Sequence, residues 1–289
     1  MATQETQTAA RVLLAPSVVM LFLWMIVPLA MIIYFSTLNF NLNDGYAASK
    51  FIGLQNFIDF LSDPNFLGAL WTTIVLVGSV LLISVGGGIF VAMLLDQPVF
   101  GQGIVRLMVI APFFVMPTVS ALVWKHLLMN PESGFFAWMW QSVGLEPVVW
   151  LTTHPLTSVI MIVSWEWLPF ASLILLTALQ SLDEQQKEAA ALDGATPIAF
   201  FGYILLPHLS RAITVVVLME TIFLLGVFAE ILVTTNGTLG TTNIPFLVYN
   251  QAQNFFDVGS ASAGGLVAVV LANIVSFFLT RLVGKNLEK

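Results

Sequence analysis

Three carboxylates, Glu166, Glu220 and Glu230, lie within stretches that are otherwise apolar. An ionisable side chain costs roughly 2.5–3.5 kcal/mol to place at the middle of a membrane helix, so each is a candidate for work other than packing. Glu166 is the sharpest of the three because Trp165 and Trp167 flank it. An indole face covers the C–H face of a polyhydroxylated ligand, while two carboxylate oxygens accept its hydroxyls without requiring charge on the ligand. Helix neighbours point about 100° apart, so at most one of the two indoles shares the face of Glu166. A hydrogen-bonded tie between helices suits the same carboxyl, and the residues leave both readings open. For Glu220 and Glu230 the tie is the stronger reading, and Asn273 reads as packing glue. No catalytic residue and no metal ligand set is expected. His126, His154 and His208 fall in different segments, there is no H-E-x-x-H, and no nucleophile sits in an elbow sequence.

The elements that carry these residues are written in the composition. Of 289 residues, 58% are hydrophobic and 9% charged, against roughly 25% charged in soluble domains. About 20 apolar residues cross a ~30 Å hydrocarbon core as a helix that satisfies its own backbone. Six segments meet that requirement, approximately 12–36, 69–95, 107–124, 156–180, 212–235 and 261–280. The expected fold is therefore an all-α integral membrane protein with six transmembrane helices. The first run is too long for a secretory signal and lacks a small-residue cleavage site, so it reads as a retained helix. Pro112, Pro117 and Pro169 should bend their helices or open carbonyls to neighbours. Gly86-Gly87-Gly88 and Ala261-Ser262-Ala263-Gly264-Gly265 should let helices approach closely.

Charge sets the expected orientation. Basic residues accumulate in short cytoplasmic loops. With the N-terminus inside, Arg11, Arg106, Lys187, Arg211, Arg281, Lys285 and Lys289 fall on the cytoplasmic side, and only Lys50 and Lys125 on the other. Both termini are then cytoplasmic. A net charge of −7 with nine scattered basic residues excludes a nucleic-acid partner. No cysteine is present, so disulfides and thiolate metal sites are excluded.

The stretch 181–211 is too polar for a span and too patterned for a linker. Asp183-Glu184 favours a helix start, residues 187–192 are helix formers, and Gly194 ends the run. A turn and a second apolar segment follow, in which Ile198, Phe200, Phe201, Ile204 and Leu205 need cover from another surface. Glu188-Ala189-Ala190, Gly194, Ile204, Leu206 and Pro207 reproduce the spacing EAA-x3-G-x9-I-x-LP. This resembles the coupling motif of the permease subunits of bacterial ATP-binding-cassette (ABC) importers. Leu13-Leu14-Ala15-Pro16, the segment 51–57 (Phe-Ile-Gly-Leu-Gln-Asn-Phe) and Asp257-x-Gly259-x-Ala261-Ser262-Ala263 extend the likeness to the larger permease of sugar, polyol or glycerol-phosphate uptake pairs. One departure is Thr234-Thr235-Asn236-Gly237-Thr238, where such permeases carry Thr-x-Gly-Gly-Pro.

The resemblance implies a type I importer fold and a set of partners. A second, homologous permease, two cytoplasmic ATPase subunits, a periplasmic or extracellular solute-binding protein and membrane lipid would complete the system. It implies residence in the bacterial cytoplasmic (inner) membrane. The layout would be a tail at 1–11, a first helix at 12–36, a periplasmic loop at 37–68, a five-helix core at 69–284 carrying the coupling loop 181–211, and a tail at 285–289. No phosphate-cradling G-x-x-x-x-G-K-[ST] is present, so this chain binds no cofactor of its own, and ATP and Mg belong to the partner ATPase. The implied substrate is a sugar or sugar alcohol, with sorbitol or mannitol as narrower candidates. Glu166, Trp165, Trp167 and Glu220 are the candidate path residues. A stand-alone proton-coupled carrier is the alternative, and it has no reason to present the loop spacing.

Overall fold

The computed structural model describes residues 4–46, 49–97 and 100–287, and side chains between 13 and 281. The outer ends of both expected tails, with Lys289 and the side chains of Arg11 and Lys285, lie outside the described residues. In chain order the helices are α1 (Gln4–Ser36), α2 (Gln55–Leu61), α3 (Phe66–Asp96), α4 (Gln102–Ile110), α5 (Pro117–Val123), α6 (Phe135–Ser142), α7 (Trp150–Thr153), α8 (Pro155–Leu179), α9 (Glu184–Leu192), α10 (Pro197–Phe200), α11 (Leu206–Leu224), α12 (Ala229–Thr234), α13 (Ile244–Gln253) and α14 (Val258–Leu287). A two-stranded antiparallel ribbon pairs β1 (Leu38–Asn39) with β2 (Lys50–Phe51).

Five helical runs are long and apolar enough to cross a membrane: Leu13–Ser36, Phe66–Asp96, Pro155–Leu179, Pro197–Leu224 and Val258–Arg281. The sixth expected span is not one straight helix. Gln102–Phe114 and Pro117–Leu128 meet at 104°, because Pro112 tightens a 3-10 turn and Met116, preceding Pro117, is held extended at φ −61° and ψ 137°. Pro169, by contrast, lies within α8 without interrupting it.

The fifth span also departs from the sequence reading of 212–235. Helix begins at Pro197, passes through a π turn at Phe201–Leu205, continues as α11 and stops at Leu224. Gly226 and Val227 are not helical, and the chain resumes as the short α12. Side chains satisfy the freed backbone. Asn243 Nδ2 donates to the Val227 carbonyl at 2.6 Å, and Lys125 Nζ donates to the carbonyls of Val233 at 2.8 Å and Thr234 at 3.3 Å.

The chain divides into two units, Met1–Phe66 with Leu247–Val270 and Leu67–Phe246 with Leu271–Lys289. In the first, the buried Asn56 amide donates to the carbonyls of Ser36 and Leu38, both at 2.8 Å. Gly259 packs against that amide and the Leu38 carbonyl, and Gly264 against the Phe60 ring, so neither position has room for a Cβ. Asp257 caps the start of α14, accepting from Ser260 N at 2.9 Å and Ser260 Oγ at 2.8 Å.

In the second unit α8 is the central helix, with its face from Val159 to Leu179 buried. Gly87 and Gly88 bring α3 against it. A Cβ at Gly88 would stand 2.9 Å from Ala171 Cβ and 3.2 Å from Ser172 N. Ala92, Leu95, Ala171, Leu175, Leu176 and Val216 form an apolar core among α3, α8 and α11.

Candidate functional site

The segment 181–211 starts directly beyond α8. Asp183 caps α9 by accepting from Gln185 N at 3.0 Å, and Glu184 places negative charge in the first turn, where the helix dipole favours it. The helix stops at Gly194, which adopts φ 73°. Ala195 N donates to the Ala190 carbonyl at 3.0 Å and Gly194 N to the Ala191 carbonyl at 3.1 Å, the paired bonds of a Schellman cap. Thr196 then caps the next helix, its Oγ1 accepting from Ala199 N at 3.3 Å, with Pro197 in the first turn.

Of the motif residues, Ala190 is buried and Ile204 is partly buried, while Glu188, Ala189, Gly194, Leu206 and Pro207 are exposed. Ile204 packs with Phe200 and Phe201 onto Leu179, Leu182, Leu205 and Leu209. This corrects the expectation that residues 198–205 as a group require an external cover: most of that apolar surface is closed by the end of α8. What stays uncovered is Leu192 at 88% exposure, Ile198 at 85% and Tyr203 at 84%. The segment thus exposes one large apolar side chain on each of α9, α10 and the π turn, with Glu188 exposed on α9.

The candidate path residues do not form one cluster. Glu166 is 5% exposed and faces Ser120 of α5 and Glu230 of α12, where α12 packs on both α5 and α8. Its Oε1 and the Ser120 hydroxyl have no hydrogen-bond partner among the described residues. Glu220 is fully buried elsewhere, with Ser84 Oγ of α3 donating to its Oε2 at 2.5 Å. Trp165 and Trp167 leave Glu166 on different sides. Trp165 meets Trp124 edge-on at 5.9 Å, whereas Trp167 joins Phe113 at 5.7 Å, Phe170 at 5.9 Å and Phe223 at 5.4 Å. Phe223 is 56% exposed, so this second cluster forms an open aromatic wall on α8, α11 and the 3-10 turn.

Sequence reasoning singled out neither Phe113 nor Phe223, since an aromatic in an apolar run carries no distinguishing signal. It also missed Ser84 and Ser120, which are partners only across helices. Lys125, counted by the charge rule as an outer base, spends its ammonium on α12 carbonyls. No group of three or more metal-ligating side chains occurs among the described residues.

With this arrangement in place, comparison with known proteins is decisive. Residues 51–289 match the family described as binding-protein-dependent transport system inner membrane component. The chain belongs to that family. The permease is 33% identical over 264 residues to the probable ABC transporter permease protein y4oQ of Sinorhizobium fredii, covering 90% of this chain and 85% of that protein. It is also 33% identical over 237 residues to the trehalose/maltose transport system permease protein MalF of Thermococcus litoralis, covering 80% and 79%. Its fold matches a bacterial ABC transporter involved in the import of the acidic polysaccharide alginate, with a TM-score of 0.81 at 22% identity, covering 97% of this chain and 96% of that one. The permease is therefore a multi-pass inner-membrane protein of type I importer fold, and a non-catalytic component of its transport system.

Proposed function

We propose that the permease conducts a sugar or sugar alcohol inward through an ABC importer and is driven by separate ATPase subunits that grip the segment 181–211. The uncovered trio Leu192, Ile198 and Tyr203, in the same short segment as the exposed Glu188, is the observation that carries this reading. Apolar side chains this exposed outside the bilayer fit a protein partner. Because the helix starting at Pro197 runs unbroken into α11, a push on the segment moves a membrane helix as a rigid body, which alternating access requires. Both termini and this segment are then cytoplasmic, a second homologous permease completes the path, and a solute-binding protein delivers substrate from the opposite side.

The substrate class rests on two supports. One is the likeness to a trehalose/maltose system permease; the other is the aromatic wall of Trp167, Phe113 and Phe223, whose faces suit C–H surfaces of a polyol. Sorbitol and mannitol are the narrower candidates. ATP and Mg act on the ATPase alone.

The test is co-purification of the ATPase with the unaltered permease, Glu188→Arg and Gly194→Pro, with ATP-dependent uptake in vesicles. ATPase capture by the unaltered chain only, with uptake lost in both variants, is expected. Uptake driven by a proton gradient with no ATPase bound would instead identify a stand-alone carrier.

A further inference from the structure

Two of the spans are interrupted, and the pieces that follow the interruptions meet on α8. Helix α5 restarts after the 104° bend and has seven residues, and α12 restarts after the break at Gly226 and Val227 and has six. Helices shorter than about 12 residues are marginal by themselves, so these two depend on their neighbours, and α12 packs on both α5 and α8. Where the three meet, Glu166 of α8 faces Glu230 of α12 and Ser120 of α5. Glu166 is 5% exposed, Glu230 3% and Ser120 0%. Glu166 Oε1 and Ser120 Oγ have no hydrogen-bond partner among the described residues, so unused polar atoms of two helices stand at the carboxyl pair. Few charged groups surround it. Helix α8 holds no other titratable side chain, α5 holds none, α12 holds only Glu230, and the π turn after α5 adds Lys125 and His126. Lys125 Nζ is occupied with the Val233 and Thr234 carbonyls, one turn along α12 from Glu230. Neither glutamate is ion-paired among the described residues.

We propose that Glu166 and Glu230 bind one proton between them, and that this hydrogen bond from carboxyl to carboxylate is the latch fastening α12 to α8. Two facing carboxylates withdrawn from water repel each other and lose their hydration, so a cation must stand between them. A proton is the cation that fits. Hard metal ions take about six or more oxygen ligands, and the described residues offer two carboxyls and one hydroxyl at this point, with no group of three metal-ligating side chains. Lys125, bound to the far end of α12, favours the charge on that helix's own Glu230, so Glu166 carries the proton and donates it. The single remaining charge is offset by the Lys125 ammonium across an interior of low dielectric. The Ser120 hydroxyl is available to the Glu166 oxygen left over, which brings α5 into the same latch. The inference stands on the packing of three helices and holds whichever substrate the permease carries.

Infrared difference spectra of the complete transporter at neutral pH read the proton directly, because a protonated carboxylic acid has a carbonyl stretch that a carboxylate lacks. Glu166→Gln should remove one such band from the spectrum of the unaltered transporter, and Glu230→Gln should displace the same band by changing its acceptor. Glu220→Gln, whose carboxyl is bound to Ser84 instead, should leave that band in place. If the unaltered transporter has no acid carbonyl band, the proposal is overturned without recourse to any variant. It is also overturned if Glu166→Gln removes no band, or if Glu230→Gln leaves the band unmoved. Thermal unfolding reads the latch. Glutamine at position 166 still donates to Glu230, so Glu166→Gln should keep the midpoint of the unaltered transporter. Glu166→Ala leaves Glu230 without a donor and should lower the midpoint by roughly 5 °C. Equal losses in both variants count against the latch and overturn it. A midpoint raised by sodium over choline at equal ionic strength would put a metal ion where the proton is proposed, and overturns the proposal as well.

Discussion

Ser84 on α3 donates a 2.5 Å hydrogen bond to the carboxyl of Glu220 on α11, and both side chains are fully buried. The bond joins two membrane helices at a point where Glu220 has a second oxygen with no partner among the described residues. Removing the donor leaves a buried acceptor unsatisfied, which costs about 1–3 kcal/mol. Ser84→Ala should therefore lower the unfolding midpoint of the purified permease, while Ser84→Ala combined with Glu220→Leu should recover part of the loss. Thermal unfolding of the four-member cycle measures this, and strictly additive effects would show that the two side chains are not coupled.

Close approach of α3 and α8 depends on Gly88. A Cβ there meets Ala171 Cβ at 2.9 Å and the Ser172 backbone at 3.2 Å, whereas one at Gly86 meets nothing within 4 Å, and one at Gly87 meets only the flexible end of Leu168. Gly88→Ala should cost about 1–3 kcal/mol. Gly86→Ala should be neutral or gain up to about 1 kcal/mol from helix propensity. The ranking of unfolding midpoints, Gly86→Ala above Gly87→Ala above Gly88→Ala, is the expected result.

Lys125 closes the end of α12 through two carbonyls. Hydrogen bonds to a charged group contribute about 1.5–3 kcal/mol. Lys125→Met should speed amide exchange in residues 229–235 while leaving α9 unchanged, a contrast that hydrogen-exchange mass spectrometry resolves directly.

Gly194 is required for its backbone, not for space, since a Cβ there has nothing within 4 Å while φ is +73°. Gly194→Ala should weaken the α9 cap by about 1–2 kcal/mol and reduce ATP-dependent uptake. Gly194→Asn should be milder, because asparagine tolerates the left-handed region. Equal uptake by all three proteins would remove the cap from the coupling reading.

The aromatic wall predicts a different phenotype. Phe223→Ala and Trp167→Ala each remove a stacking contact of about 0.5–1.5 kcal/mol, so uptake at limiting substrate should fall several-fold while basal ATP hydrolysis stays unchanged. A loss of basal hydrolysis in both would indicate a packing role instead.

Hydropathy alone determined that the chain crosses the membrane, and where four of its helices run, because the requirement for about 20 apolar residues leaves few alternatives. The spacing from Glu188 to Pro207 marked the segment 181–211 and its caps, since Asp183, Gly194 and Pro197 act through local backbone chemistry visible in one dimension. The tertiary structure decided what depends on partners distant in sequence. Pro112 and Pro117 announced a bend, but its 104° angle and the seating of the 3-10 turn on α8 are seen only in the fold. Glu166, Glu220 and Glu230 look alike as isolated acids in apolar runs; in the fold, Glu166 and Glu230 face each other beside Ser120 while Glu220 is bound to Ser84. Phe200, Phe201 and Ile204, expected to need cover from another surface, are instead partly buried against Leu179, Leu182, Leu205 and Leu209 of the chain itself. Local propensity and bilayer thickness are legible in sequence, but which buried polar group meets which is a property of helix rotation and register, and those are set only when the helices pack.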